Sequence, residues 1–288
     1  MRPLRALAGG LGAALARPHL LAVLALVDLG IALVAVAPSY AALDRALSTR
    51  ADAFQLASGL DFFAWLDVRA ASPGALGTWP YALAAALLVS WVWSALSAAG
   101  WLSAARSEGF FAGIGRHGFR FLRLAAALAL ALVGLEIGRR ALAAPIDAWA
   151  ERSTSEVLAF VANRSVDVVH GVFVLLILAA SDVAKARIAS GDRRFVLGAL
   201  ASAAGFAIRR PMTAVGVGLA GAALQTALVF ASGAATDGTL GPTQAGFFVP
   251  LLLGQVAIAL RIAVRAGTLL AYSRMSEADL ASRSAVRD

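Results

Sequence analysis

Residues 193–211 read RRFVLGALASAAGFAIRRP. Fourteen uncharged residues, 195–208, are fenced by an arginine pair on either side and closed by Pro211. A helix of that length reaches about 21 Å, short of the roughly 30 Å of hydrocarbon that a spanning helix must cross. Both charged ends prefer the same aqueous side, so the insert is expected to lie along the membrane surface near the cytoplasmic face. Pro211 suits the first turn of a following helix, where its missing N–H costs nothing. Long apolar runs flank the insert, and 181–187 (SDVAKAR) forms the charged exit from the run before it. The order is span, charged turn, surface helix, span, and it marks the chain as an all-α polytopic membrane protein.

Composition agrees. Hydrophobic residues make up 60% of the 288 and charged residues 15%, against about 45–50% and about 25% in soluble domains. A formal charge of +8 in a soluble chain would point to nucleic acid. Here the basic residues cluster at the ends of apolar runs, which assigns them to membrane orientation and anionic headgroups instead. Membrane lipids and a protein within the membrane are the expected partners, and nucleic acid is not. All but one of the 25 basic residues are arginine and alanine is abundant, a bias of GC-rich bacterial genomes. With no cysteine in the chain, disulfides, thiolate metal sites and cysteine nucleophiles are excluded together. No polar linker separates two hydrophobic blocks, so a single membrane domain is expected.

Taken in order, residues 1–18 form a basic lead-in helix expected to remain uncleaved, because two glycines break its apolar part and Arg17-Pro18 follows at once. Six spans are read at about 19–37, 80–100, 121–138, 166–181, 212–230 and 247–266. Two surface helices are expected at about 104–120 and 193–210. In the first, Arg116, Arg120 and Arg123 share one helical face. The loop of 39–79 carries Asp61-Phe62-Phe63-Ala64-Trp65-Leu66-Asp67, the pattern of a short helix resting on the membrane. A third loop, to about residue 163, holds mixed charges and the helix-starting Ser153-Thr154-Ser155-Glu156. Span, basic helix, span occurs twice, the pattern of an internal repeat.

Basic residues set the orientation. The N-terminus, 101–123, 181–210 and the stretch from 261 hold three, four, six and five of them, leaving seven for the opposite side. The positive-inside rule then puts both termini in the cytoplasm of a bacterial inner membrane. Six spans satisfy that parity.

Chemistry is sparse. His19, His117 and His170 fall in separate segments, so no metal site is expected. No Gly-x-Ser-x-Gly elbow or phosphate loop is present, and no cofactor is implied. Arg193, Arg194, Arg209 and Arg210 are read as an edge for anionic lipid. Asp28 stands in the middle of the first span, where an ionisable group costs several kcal/mol unless compensated. Arg261 and Arg265 lie four apart on one face of the last span. The expected intramembrane clamp pairs Asp28 with Arg261 and Asp182 with Arg265, because arginine stays charged and holds a carboxylate in place.

The run Asp182-Val183-Ala184-Lys185-Ala186-Arg187, then Gly191-Asp192-Arg193-Arg194, an apolar helix and Arg209-Arg210-Pro211, resembles a pattern in uncharacterised bacterial six-span membrane proteins, with Val183 where those have an aromatic. The resemblance covers about residues 180–215 and implies architecture alone. The function expected is non-enzymatic, either a transport-related membrane component or a scaffold that binds anionic lipid or a partner protein. The alternative is a lipid-modifying enzyme using Asp28, Glu136, His170 or Asp182 as acid or base.

Overall fold

The computed structural model describes residues 3–47, 70, 79–191, 195–237 and 244–284. Eight helices of more than ten residues make up the fold there: α1 (Pro3–Leu15), α2 (Pro18–Leu47), α3 (Trp79–Ala105), α4 (Phe110–Ala150), α5 (Glu156–Ala189), α6 (Val196–Arg209), α7 (Pro211–Asp237) and α8 (Gln244–Ser284). Six of them, α2 to α5, α7 and α8, are long and apolar enough to cross a membrane. Their most apolar windows have between 11% and 28% of their residues buried, so most of that surface needs a non-aqueous solvent around the protein. Leu26, Val34, Leu130 and Leu252 are among the large side chains left facing outward.

Helix ends follow local chemistry. Pro18 and Pro211 open α2 and α7, the first-turn position that tolerates a missing N–H. Ser155 caps α5, its hydroxyl oxygen accepting from the Leu158 N–H, with Glu156 in the first turn complementing the helix dipole. At the other end Gly191, at φ 76°, takes the left-handed conformation that terminates α5.

Three expectations change. The stretch 104–120 is not a helix of its own: α3 ends at Ala105, residues 106–109 turn, and the basic segment forms the first turns of the 41-residue α4. No proline stands between Phe110 and Leu124, so nothing breaks the helix where the arginines give way to the span. In the second half Arg210-Pro211 makes that break, with Arg210 at φ −130° and ψ 56°. The two halves of the proposed repeat therefore differ in construction. Arg123 stacks over the Phe119 ring at 4.3 Å, while Phe110, Gly113, His117, Phe121 and Leu124 form the buried face. Second, most of the mixed-charge loop before residue 163 is helical, because α4 runs to Ala150 and α5 starts at Glu156. At 1.5 Å per residue α4 is about 60 Å long, twice the hydrocarbon thickness. Third, α2 runs past the first span as read, 19–37, and continues through Pro38 to Leu47. The expected surface helix in 39–79 lies outside the described residues.

The chain divides into two compact units: residues 1–17, 95–227 and 263–288, and residues 18–94 and 228–262. In the first, α4 packs on α5 and α5 on α6. Its core includes Leu102, Phe121, Leu124, Val183, Ile188, Phe206, Val217 and Tyr272. The lead-in helix α1 belongs to it, burying Ala6, Leu7, Gly10 and Ala14 on one face. Gly10 meets α8 so closely that a Cβ there would stand 2.1 Å from the Gly267 carbonyl oxygen. In the second unit, Leu21 and Leu24 of α2 are buried and Asp28 on the same face is half-buried.

Candidate functional site

Ten consecutive residues at the end of α5, Ala179 to Ile188, are buried, and three of them are charged. Asp182 and Lys185 share a helical face at a spacing of three, and the Lys185 Nζ donates to Asp182 Oδ1 at 2.8 Å. From α8, Arg265 closes a two-pronged pair on the same carboxylate, Nη1 to Oδ2 at 2.8 Å and Nη2 to Oδ1 at 3.0 Å. Such a fork holds direction as well as charge. Asp182 and Lys185 are almost inaccessible, whereas 44% of the Arg265 side chain is exposed.

Arg187 builds the neighbouring half of the cluster. Its side chain is 1% exposed, and its Nη2 lies 3.5 Å from Asp279 Oδ2. The Nε donates to Ser276 Oγ at 3.1 Å, and Nη1 donates to Ser202 Oγ of α6. Arg210 approaches the other Asp279 oxygen at 3.5 Å. One stripe of α8 supplies Arg265, Tyr272, Ser276 and Asp279 at spacings of seven, four and three, so all four project from the same side of the helix. The Tyr272 hydroxyl donates to the Ala214 carbonyl at 2.6 Å, tying the stripe to α7. Among the described residues, two carboxylates, Asp182 and Asp279, thus stand with four cations, Lys185, Arg187, Arg210 and Arg265. Burying ions is costly unless each is paired and hydrogen-bonded, and here α5, α6 and α8 each supply polar partners.

The residues expected from sequence have mixed fates. Asp182 and Arg265 come together. Asp28 and Arg261 do not, since no ion pair joins either to any described residue. Arg261 faces outward from α8, whose packed face begins at Ala263 and Val264. Residue counts fixed its depth along the helix and left its direction around the helix open. Arg210 belongs to the cluster and Arg209 is exposed. Arg193 and Arg194 lie outside the described residues. Sequence reasoning missed Lys185, Arg187, Ser202, Tyr272, Ser276 and Asp279 as members; the heptad spacing of 265, 272 and 279 was the available signal.

A second set of charges joins α4 to α5. Glu136 Oε2 accepts from Arg139 Nε at 2.8 Å, and Oε1 accepts from Arg140 Nε at 2.8 Å. Arg139 also reaches Asp167 at 3.4 Å. His170 Nε2 stands 3.9 Å from Glu136 Oε2. Asp182 lies twelve residues further along α5, about 18 Å away along the helix. Glu136 and His170 thus stand together, Asp182 stands apart from them, and Glu136 and Asp182 are each held by basic side chains.

No family model matches the chain, and comparison with curated proteins and with solved structures returns no match.

Proposed function

We propose that this protein is a non-catalytic component of a bacterial cytoplasmic membrane, a scaffold or transport-related subunit that holds anionic lipid at its basic end. One observation carries the reading: among the described residues at the junction of α5, α6 and α8, four cations stand with two carboxylates, and anionic headgroups would complement such a basic end. The side chains of α6 add support. This helix buries Ala199, Ala203 and Phe206, yet leaves Leu197 and Ile208 each 75% exposed, as suits a helix lying among lipids at the membrane surface. In this reading the Asp182–Arg265 pair clamps α5 to α8, and both termini face the cytoplasm. The enzyme alternative has less support, because Asp182 stands about 18 Å along α5 from His170, and Glu136 and Asp182 are each held by basic side chains. The likeness of residues 180–215 to six-span bacterial proteins agrees with the architecture.

Changing Arg193, Arg194, Arg209 and Arg210 together to glutamine is expected to lower the anionic lipid retained on purification several-fold while six helices remain inserted. Lipid extraction and phosphorus analysis of the purified protein measure this. Unchanged lipid content would leave those arginines only a role in orienting the chain.

A further inference from the structure

Between the end of α6 and the last turns of α8 lies a cleft of about 60 Å³ lined by Phe206, Arg210, Thr213, Met275 and Ala278. Its floor is apolar, with Phe206 1% and Met275 5% exposed. Its rim is polar: half of the Arg210 side chain is exposed and Thr213 is partly so. The first turn of α7, beginning at Pro211, brings the positive end of a helix to that rim. Arg210 meets Asp279 at 3.5 Å, longer than the roughly 2.7–2.9 Å of a well-formed charged N–H···O bond. Asp279 is shared with Arg187 at the same distance, so Arg210 keeps donors to offer another anion.

We propose that this cleft binds the phosphate of an anionic membrane lipid, its oxygens held by Arg210 and Thr213 and its first apolar atoms resting over Phe206 and Met275. The inference rests on the lipid-binding reading above and adds a location to it. A free phosphate would use the rim and gain nothing from the floor; a lipid uses both.

The test takes the full chain, delipidated in neutral detergent, and titrates it with phosphatidylglycerol while native mass spectrometry counts bound lipids. Arg210→Gln and Ala278→Trp are each expected to weaken the tightest bound lipid about tenfold, the scale of one lost charged contact. Arg140→Gln, which removes the same charge from an exposed side chain of α4, should leave that affinity unchanged. Ala278→Trp fills the cleft from its exposed rim without touching an ion pair, so it tests the site even if Arg210→Gln unfolds. If the unaltered chain binds lipid and neither variant weakens it, the cleft is wrong and the broader reading stands. If the unaltered chain binds no phosphatidylglycerol, both fall. Displacement of the lipid by millimolar inorganic phosphate would assign the site to free phosphate and overturn the lipid proposal; persistence of the lipid supports it.

Discussion

Asp182→Ala is expected to destabilise the protein by about 3–5 kcal/mol, the cost of leaving a buried cation without its partner. The stranded group is Lys185, whose side chain is 6% exposed and whose ammonium donates to the lost carboxylate. Arg265 loses its two-pronged bond as well, but its half-exposed head can turn to water or headgroups. Arg265→Gln alone should therefore cost less than Asp182→Ala. Adding Lys185→Met to Asp182→Ala should recover more than half of the loss, because an apolar chain of similar length fills the site without a charge. The apparent melting temperature in detergent, followed by the monodisperse fraction on size exclusion, reads out all four proteins. Equal losses for Asp182→Ala with and without Lys185→Met would contradict a stranded Lys185 ammonium as the source of the loss.

Gly10→Leu should cost about 3 kcal/mol, at the upper end of what overpacking exacts. Its Cβ would point at the Gly267 carbonyl oxygen 2.1 Å away and at the Ala271 nitrogen at 3.1 Å. These are backbone atoms of α8, which cannot rotate aside as a side chain can. The lead-in helix α1 must then back away and expose Ala6, Leu7 and Ala14, now buried. Gly12, two residues on and on the open side of the helix, meets nothing within 4 Å. Gly12→Leu should instead be neutral or gain up to about 0.8 kcal/mol from helix propensity. The same substitution two residues apart thus changes sign, and protease access to α1 follows it. Similar melting temperatures for the two variants would remove the close crossing from the account.

Both effects come from parts of the molecule that differ in how far the sequence reveals them. The six spanning helices are legible because apolar runs of sufficient length have few other solutions in a bilayer. Their ends are less so. Arg116, Arg120 and Arg123 read as a separate surface helix, yet a charged face does not stop a helix, and only the Arg210-Pro211 step makes the backbone break. Asp182 stands out in an apolar run, whereas Lys185 and Arg187 read as an ordinary charged exit from a span. Burial by α6 and α8 turns them into core residues, and that depends on contacts distant in sequence. Asp28 and Arg261 show the opposite failure: depth along a helix was read from residue counts, but azimuth was not. The apolar stretch of α8 fades past Tyr272, so Ser276 and Asp279 fell beyond the region searched for partners, although they continue the stripe of Arg265.

The central claim, that the basic cluster occupies the cytoplasmic side of a six-span protein, is tested most directly by single cysteines in this cysteine-free chain. Thr154 lies in the turn before α5 and Ser190 just after its other end, and both are exposed. The 34 residues of α5 between them span about 50 Å. In intact cells a membrane-impermeant maleimide should label Thr154→Cys and spare Ser190→Cys until the membrane is permeabilised. Labelling of Ser190→Cys alone would invert the orientation, and labelling of both without permeabilisation would mean that α5 does not cross the membrane.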